Sequence, residues 1–176
     1  MCLVLLWHGA GVVVERVSVV VDAETCETLF EKNADGRLPV ASTTKSMTAL
    51  VECGEGDLDR VYIVKPEYAA VEGSSMYLKA GETLSLRDTL YGLMLASGND
   101  AAVAIAGECG GMTAFVGKMN AKAAELGLMD THFDNPNGLP SDTPYTTAHE
   151  LAKITAAAPK DPVFRQIVSH KSCPGS

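Results

Sequence analysis

The sequence lacks several features that carry chemistry in other proteins. It has no basic run: 14 Lys and Arg stand against 22 Asp and Glu, for a formal net charge of −8 and a pI near 4.9. With no cationic patch to displace counterions, nucleic acid is excluded as a partner. The five cysteines, Cys2, Cys26, Cys53, Cys109 and Cys173, form no C-x-x-C pair and match no zinc spacing. Neither a structural metal nor a disulfide framework is expected from them. The histidines, His8, His132, His149 and His170, are scattered without ligand spacing, so no metal centre is expected there either. There is no internal repeat and no low-complexity segment. The apolar stretch Met1 to Val14 is too short for a membrane span. It has the look of an export signal's hydrophobic region, without a basic lead-in or an A-x-A site. Residues 1–15 are therefore read as an export-signal remnant or an irregular N-terminus.

What remains is ordinary globular material: 176 residues, 47% hydrophobic and 20% charged, enough for one domain with its own core. Arg16 to Val21 is β-branched and Thr28 to Lys32 alternates, so the two read as strands of a hairpin across the Asp22–Glu27 turn. Leu58 to Val64 reads as a further strand, and Met76 to Leu78 as a short extended piece. Ser85-Leu86-Arg87-Asp88 is a capping box opening a buried helix to Ala96, and Asp100 starts another through Glu108. Thr113 to Leu126 is amphipathic, with Phe115, Met119, Ala123 and Leu126 on one side. Phe133 to Pro144 is dense in turn formers and reads as an ordered loop. Thr147-Ala148-His149-Glu150 is a second capping box, and Asp161-Pro162 starts a last helix through Val168. Little sheet, all near the N-terminus, thus precedes many helices.

The stretch with most chemical promise is Pro39 to Leu50. Ser42 reads as a helix-start residue, with Lys45 one turn on along the same face. A serine at a helix N-terminus has the positive end of the macrodipole beneath it, which favours a developing alkoxide. A neutral lysine beside it can take its proton, the layout of a Ser-Lys acyl-transfer nucleophile. The bland alternative is a capped helix with a solvated lysine. A second candidate is Ser97-Gly98-Asn99, small polar residues between two apolar helices. It reads either as a helix junction capped by Asn99 or Asp100, or as a hydroxyl and a carboxamide held rigidly beside a cleft.

Taken together, Ala41-Ser42-Thr43-Thr44-Lys45 and Ser97-Gly98-Asn99-Asp100-Ala101-Ala102 resemble the penicillin-binding serine D-Ala-D-Ala carboxypeptidases. Val20 to Asn33, Glu72 to Leu90, Leu126 to Leu139 and Tyr145 to Leu151 resemble the same family, so the likeness runs from about Arg16 to Lys171. It implies a mixed α/β fold of the β-lactamase/transpeptidase type, a helical cluster with an incomplete antiparallel sheet. Residues 16–171 would be a partial catalytic domain and 172–176 a tail. The implied activity is removal of the terminal D-alanine from peptidoglycan stem peptides through an acyl-enzyme on Ser42, without metal or organic cofactor. Lys45 would be the general base, Ser97 a proton shuttle to the departing D-alanine, and Asn99 the ligand of the substrate amide. The Ser42 backbone N–H would supply half of the oxyanion hole. β-Lactam antibiotics would be inhibitors, and the location would be extracytoplasmic, in the cell envelope.

The sequence also departs from that family. Its Lys-Thr/Ser-Gly motif has no counterpart; Lys171-Ser172-Cys173 is the nearest triplet. The missing strand would supply a second cation, a grip on the substrate carboxylate and the other oxyanion donor. A free lysine has a pKa of about 10.4, and acting as a base near neutrality needs a drop of roughly three pH units, or about 4 kcal/mol. The chain as written is therefore expected to be feebly active at most. A non-catalytic fragment that only binds peptidoglycan or a partner is the second reading. A class A β-lactamase is a third, disfavoured by Gly98 within the second motif and by the lack of a Glu-x-x-Leu-Asn segment. Cys26 stands at a turn position where the family typically has glycine, which would strain a left-handed backbone there.

Overall fold

β-Branched residues at alternate positions explain the first sheet. Val17, Val19 and Val21 are buried on one face of β2 (Glu15–Asp22), packed on Ala34, Ala148 and Ala152. In the structure, a computed structural model that describes residues 2–8, 15–55, 57–141 and 143–170, β2 is the middle strand. β1 (Cys2–His8) and β3 (Thr28–Lys32) flank it, both antiparallel. The expected hairpin is present, with Val20 opposite Phe30 and Val19 opposite Glu31. Its turn is closed by Asp22 Oδ1, which accepts from the backbone N–H groups of Glu24 and Thr25 at 2.9 Å. Cys26 in that turn has φ +58, the left-handed conformation expected to strain it.

The strand β1 was not foreseen. A short, uniformly apolar run carries no periodicity to mark it as a strand. Of the stretch read as a leader remnant or irregular N-terminus, Cys2–His8 pair with β2, and Met1 and 9–14 lie outside the described residues. The expected 172–176 tail also lies outside them.

A single 3-10 turn (Ala41–Thr43) leads into α1 (Thr44–Glu55). There follow β4 (Val61–Ile63), α2 (Pro66–Ala69), β5 (Thr83–Ser85), α3 (Leu86–Leu95) and α4 (Asn99–Glu108). The chain continues through α5 (Met112–Glu125), α6 (Ala148–Ala157) and α7 (Pro162–Ser169). Helix α1 is the hub, in contact with α3, α4, α5, α6 and α7. Met47, Leu90, Leu93, Ile105, Phe115 and Met119 fill the space around it and are fully buried. This surround is what lets a lysine on α1 be buried. No helix among the described residues is long and apolar enough to cross a membrane.

Several local expectations need correction. The strand at Leu58 to Val64 shrinks to Val61–Ile63, because Asp57 to Arg60 form a turn closed by the Arg60 N–H on the Asp57 carbonyl at 3.2 Å. Its partner β5 was not anticipated, so sheet is not confined to the N-terminus. Met76 to Leu78, read as a short extended piece, is loop broken by Tyr77, which is left-handed at φ +64. The capping box at Ser85 and Asp88 is present in both directions. The one at Thr147 is only half made, since the Thr147 hydroxyl accepts from Glu150 N–H but the Glu150 carboxylate goes elsewhere. The carboxylate of Glu150, a residue 7% exposed, accepts from Met129 N–H, Asp130 N–H and the Thr131 hydroxyl, tying the loop after α5 to α6.

Candidate active site

Ser42 lies in the 3-10 turn, exposed, two residues before the start of α1. It does not cap the helix; its Oγ accepts from Lys45 Nζ at 3.2 Å. Lys45 is 3% exposed, and its Nζ donates a second hydrogen bond, to the Asn137 carbonyl at 2.8 Å. No carboxylate pairs with it among the described residues. Burial alone therefore holds its pKa below that of an ordinary lysine. A buried ammonium with no counter-ion, one hydrogen bond from an exposed hydroxyl, is arranged to become a neutral amine able to accept that proton.

The second partner of Lys45 comes from the loop between α5 and α6, anticipated only as an ordered loop. Its backbone is held at several points. Asn135 Oδ1 accepts from Gly138 N–H at 2.6 Å, Thr48 Oγ1 donates to the Pro136 carbonyl at 2.6 Å, and Asn137 Oδ1 accepts from Leu139 N–H at 3.0 Å. Gly138, at φ +77, lies directly against the turn that carries Ser42, where a Cβ would overlap the Ala41 carbonyl. Here the glycine is required for close approach of two backbones as well as for its dihedral. Thr44 Oγ1, buried beside this contact, has no hydrogen-bond partner among the described residues.

Ser97 lies in the turn between α3 and α4 and Asn99 is the first residue of α4; both helices pack on α1. Ser97 is partly exposed and left-handed at φ +53. The hydrogen bonds of Lys45 run to Ser42 and Asn137, and none runs to Ser97. Neither Asn99 nor Asp100 is the N-cap of α4; Gly98 is, without a side-chain bond. Asn99 is 5% exposed, and its Nδ2 donates to the Glu72 carbonyl at 2.7 Å, close against Gly73. A primary amide has two N–H groups, so this bond fixes the carboxamide while leaving one donor. Asp100, expected only to open a helix, instead ties in the preceding loop. Its carboxylate accepts from Ser75 Oγ at 2.6 Å and from the N–H groups of Met76 and Leu78 at 3.0 and 3.1 Å.

Backbone strain gathers here. Of the five described non-glycine residues with positive φ, Ala41 precedes Ser42, Ser97 opens the second constellation, and Tyr77 lies in the loop bound to Asp100. Such conformations persist where surrounding contacts over-determine them, as at functional sites.

Known proteins share this arrangement of sequence and fold. A D-alanyl-D-alanine carboxypeptidase of Streptomyces sp. strain K15 is 38% identical, across 84% of this chain and 55% of its own. One from Mycobacterium tuberculosis is 38% identical, across 88% and 54%. The chain thus spans about half the length of these relatives. The crystal structure of a D-alanyl-D-alanine carboxypeptidase from M. tuberculosis H37Rv superposes with a TM-score of 0.85 at 37% identity, over 88% of this chain and 60% of the other. That of penicillin-binding protein 6B from Escherichia coli gives 0.84 at 35% identity, over 89% and 53%. The mixed α/β, penicillin-binding fold expected from the sequence is the observed one. The sequence profile of peptidase S11, described as D-alanyl-D-alanine carboxypeptidase, matches residues 12–173, and the chain belongs to that family.

Proposed function

We propose that this chain carries the acylation centre of a serine D-Ala-D-Ala carboxypeptidase acting on peptidoglycan stem peptides outside the cytoplasm. The observation that supports it most is the exposed Ser42 hydroxyl 3.2 Å from Lys45, a lysine buried without a carboxylate. In this reading Ser42 Oγ attacks the carbonyl of the penultimate D-alanine while neutral Lys45 takes its proton. The Asn137 carbonyl keeps the amine aimed at Ser42 Oγ. The tetrahedral oxyanion is stabilised by the Ser42 N–H at the head of α1. Collapse expels D-alanine, whose amine receives its proton from Lys45 by way of the Ser97 hydroxyl, and leaves an ester on Ser42. Water then hydrolyses the ester. The free N–H of Asn99 Nδ2 holds the substrate amide. A β-lactam enters by the same attack, with the ring amide in place of the peptide bond.

The 176 residues contain no Lys-Thr-Gly or Lys-Ser-Gly triplet. The chain is therefore expected to acylate more readily than it turns over. Intact mass after incubation with benzylpenicillin tests the reading. One adduct on the wild-type chain and none on Ser42→Ala is the expected pair, with little free D-alanine released from a D-Ala-D-Ala peptide. Failure of the folded wild-type chain to take up any adduct overturns it and favours a binding-only role.

A further inference from the structure

The loop between α2 and β5 holds a residue that its own fold does not explain. Tyr77 is 82% exposed, yet its backbone is left-handed at φ +64. A bulky side chain is a steric outlier there, and a polar or glycine residue would serve an ordinary turn better. Its ring makes no aromatic contact and its hydroxyl no hydrogen bond among the described residues.

The conformation is imposed from both sides. The N–H groups of Met76 and Leu78 go to the Asp100 carboxylate, and that of Tyr77 to Ser75 Oγ at 2.8 Å, itself held by Asp100. The Met76 side chain fills the space over Gly92 on α3, where a Cβ would collide with its sulfur. The Ser74 carbonyl accepts from Asn99 N–H at 2.7 Å, and the Glu72 carbonyl from Asn99 Nδ2 at the same distance. The loop is thus fastened to Asn99 and Asp100 at the start of α4, just after Ser97, with Tyr77 at its exposed crest.

We propose that Tyr77 is a substrate-contacting residue. Its ring forms an apolar shelf beside Asn99, on which the aliphatic side chain of the residue preceding D-Ala-D-Ala rests. This rests on the reading of Asn99 as the ligand of the substrate amide, because the loop that carries the ring is the one fastened to Asn99. An aromatic side chain with two torsions offers large contact area at small entropic cost, and the strained backbone holds it ready.

The test is protection of Ser42. The full chain is treated with benzylpenicillin in the presence of rising concentrations of a diacylated lysyl-D-alanyl-D-alanine peptide, and adduct is read by intact mass. Tyr77→Phe should match the wild type. Tyr77→Ala and Tyr77→Gly should raise the peptide concentration for half-protection by about 2- to 12-fold, the loss of one aromatic contact. Penicillin acylation without peptide is measured for each variant, and the half-protection concentration is corrected for it. Tyr77→Gly should also raise the unfolding midpoint by about 2–4 °C, because glycine relieves the left-handed strain. Unchanged protection in both the alanine and glycine variants overturns the inference and leaves the acylation reading intact. Absence of an adduct, or of peptide protection, in the wild-type chain overturns both.

Discussion

At the scale of single residues, the proposed mechanism makes Lys45 decide what Ser42 can do. Its folded pKa lies below the ordinary value of 10.5 because burial disfavours the ammonium. Between the folded and unfolded pKa values the unfolded chain binds more protons, so this group adds to stability as pH rises through that window. Below the folded pKa its full cost is present. Acylation by benzylpenicillin should accordingly rise with pH along a limb whose midpoint lies below 10.5. Lys45→Met should remove that limb and slow acylation by about 10²- to 10⁴-fold. The midpoint of wild type relative to Lys45→Met should move in the wild type's favour as pH is raised toward 10.5. A pH-independent acylation rate, or a gap in midpoint that does not change with pH, would contradict this account.

At the scale of elements, the site is an agreement between α1, the α3–α4 turn and the loop from 133 to 144. The last of these is brought against the Ser42 turn by Gly138. Gly138→Ala would combine a left-handed alanine with a Cβ pressed into the Ala41 carbonyl, a backbone atom that cannot rotate away. Strain and overpacking of this kind together cost about 2–4 kcal/mol. The Lys45 to Asn137 bond should loosen with it. Gly117→Ala is the matching control, since that glycine lies in α5 with nothing within 4 Å of an added Cβ. It should stabilise by about 0.5–1 kcal/mol through helix propensity. Urea unfolding of the two variants, with penicillin uptake measured alongside, separates a site defect from a general loss of stability. Equal stability of the two would show that the close approach at Gly138 is not needed.

At the scale of the whole molecule, the helical cluster is closed around α1, whereas β3 of the first sheet is exposed along its length, with Phe30 57% and Leu29 54% accessible. An edge strand carrying apolar side chains is a template for pairing between chains. Phe30→Lys should reduce concentration-dependent light scattering while changing unfolding free energy by less than about 0.5 kcal/mol, as exposed substitutions do. Scattering that is the same in both chains would place any self-association elsewhere.

The sequence by itself determined the two short constellations, the helices with clear caps and amphipathic faces, and the family, because these depend on local spacing and side-chain type. Ser85 and Asp88 show the capping box in the chain and in space. What only the tertiary structure decided was which groups surround them. The Asn137 carbonyl on Lys45, the Asp100 grip on the loop at 75–78 and the diversion of Glu150 from its own N-cap all join residues about 20 or more positions apart. A backbone carbonyl has no signature in sequence, and a carboxylate's partner depends on which chain segment is packed against it. The low pKa of Lys45 belongs to that second class: the residue is written in the sequence, but its burial is supplied by the helices packed around α1.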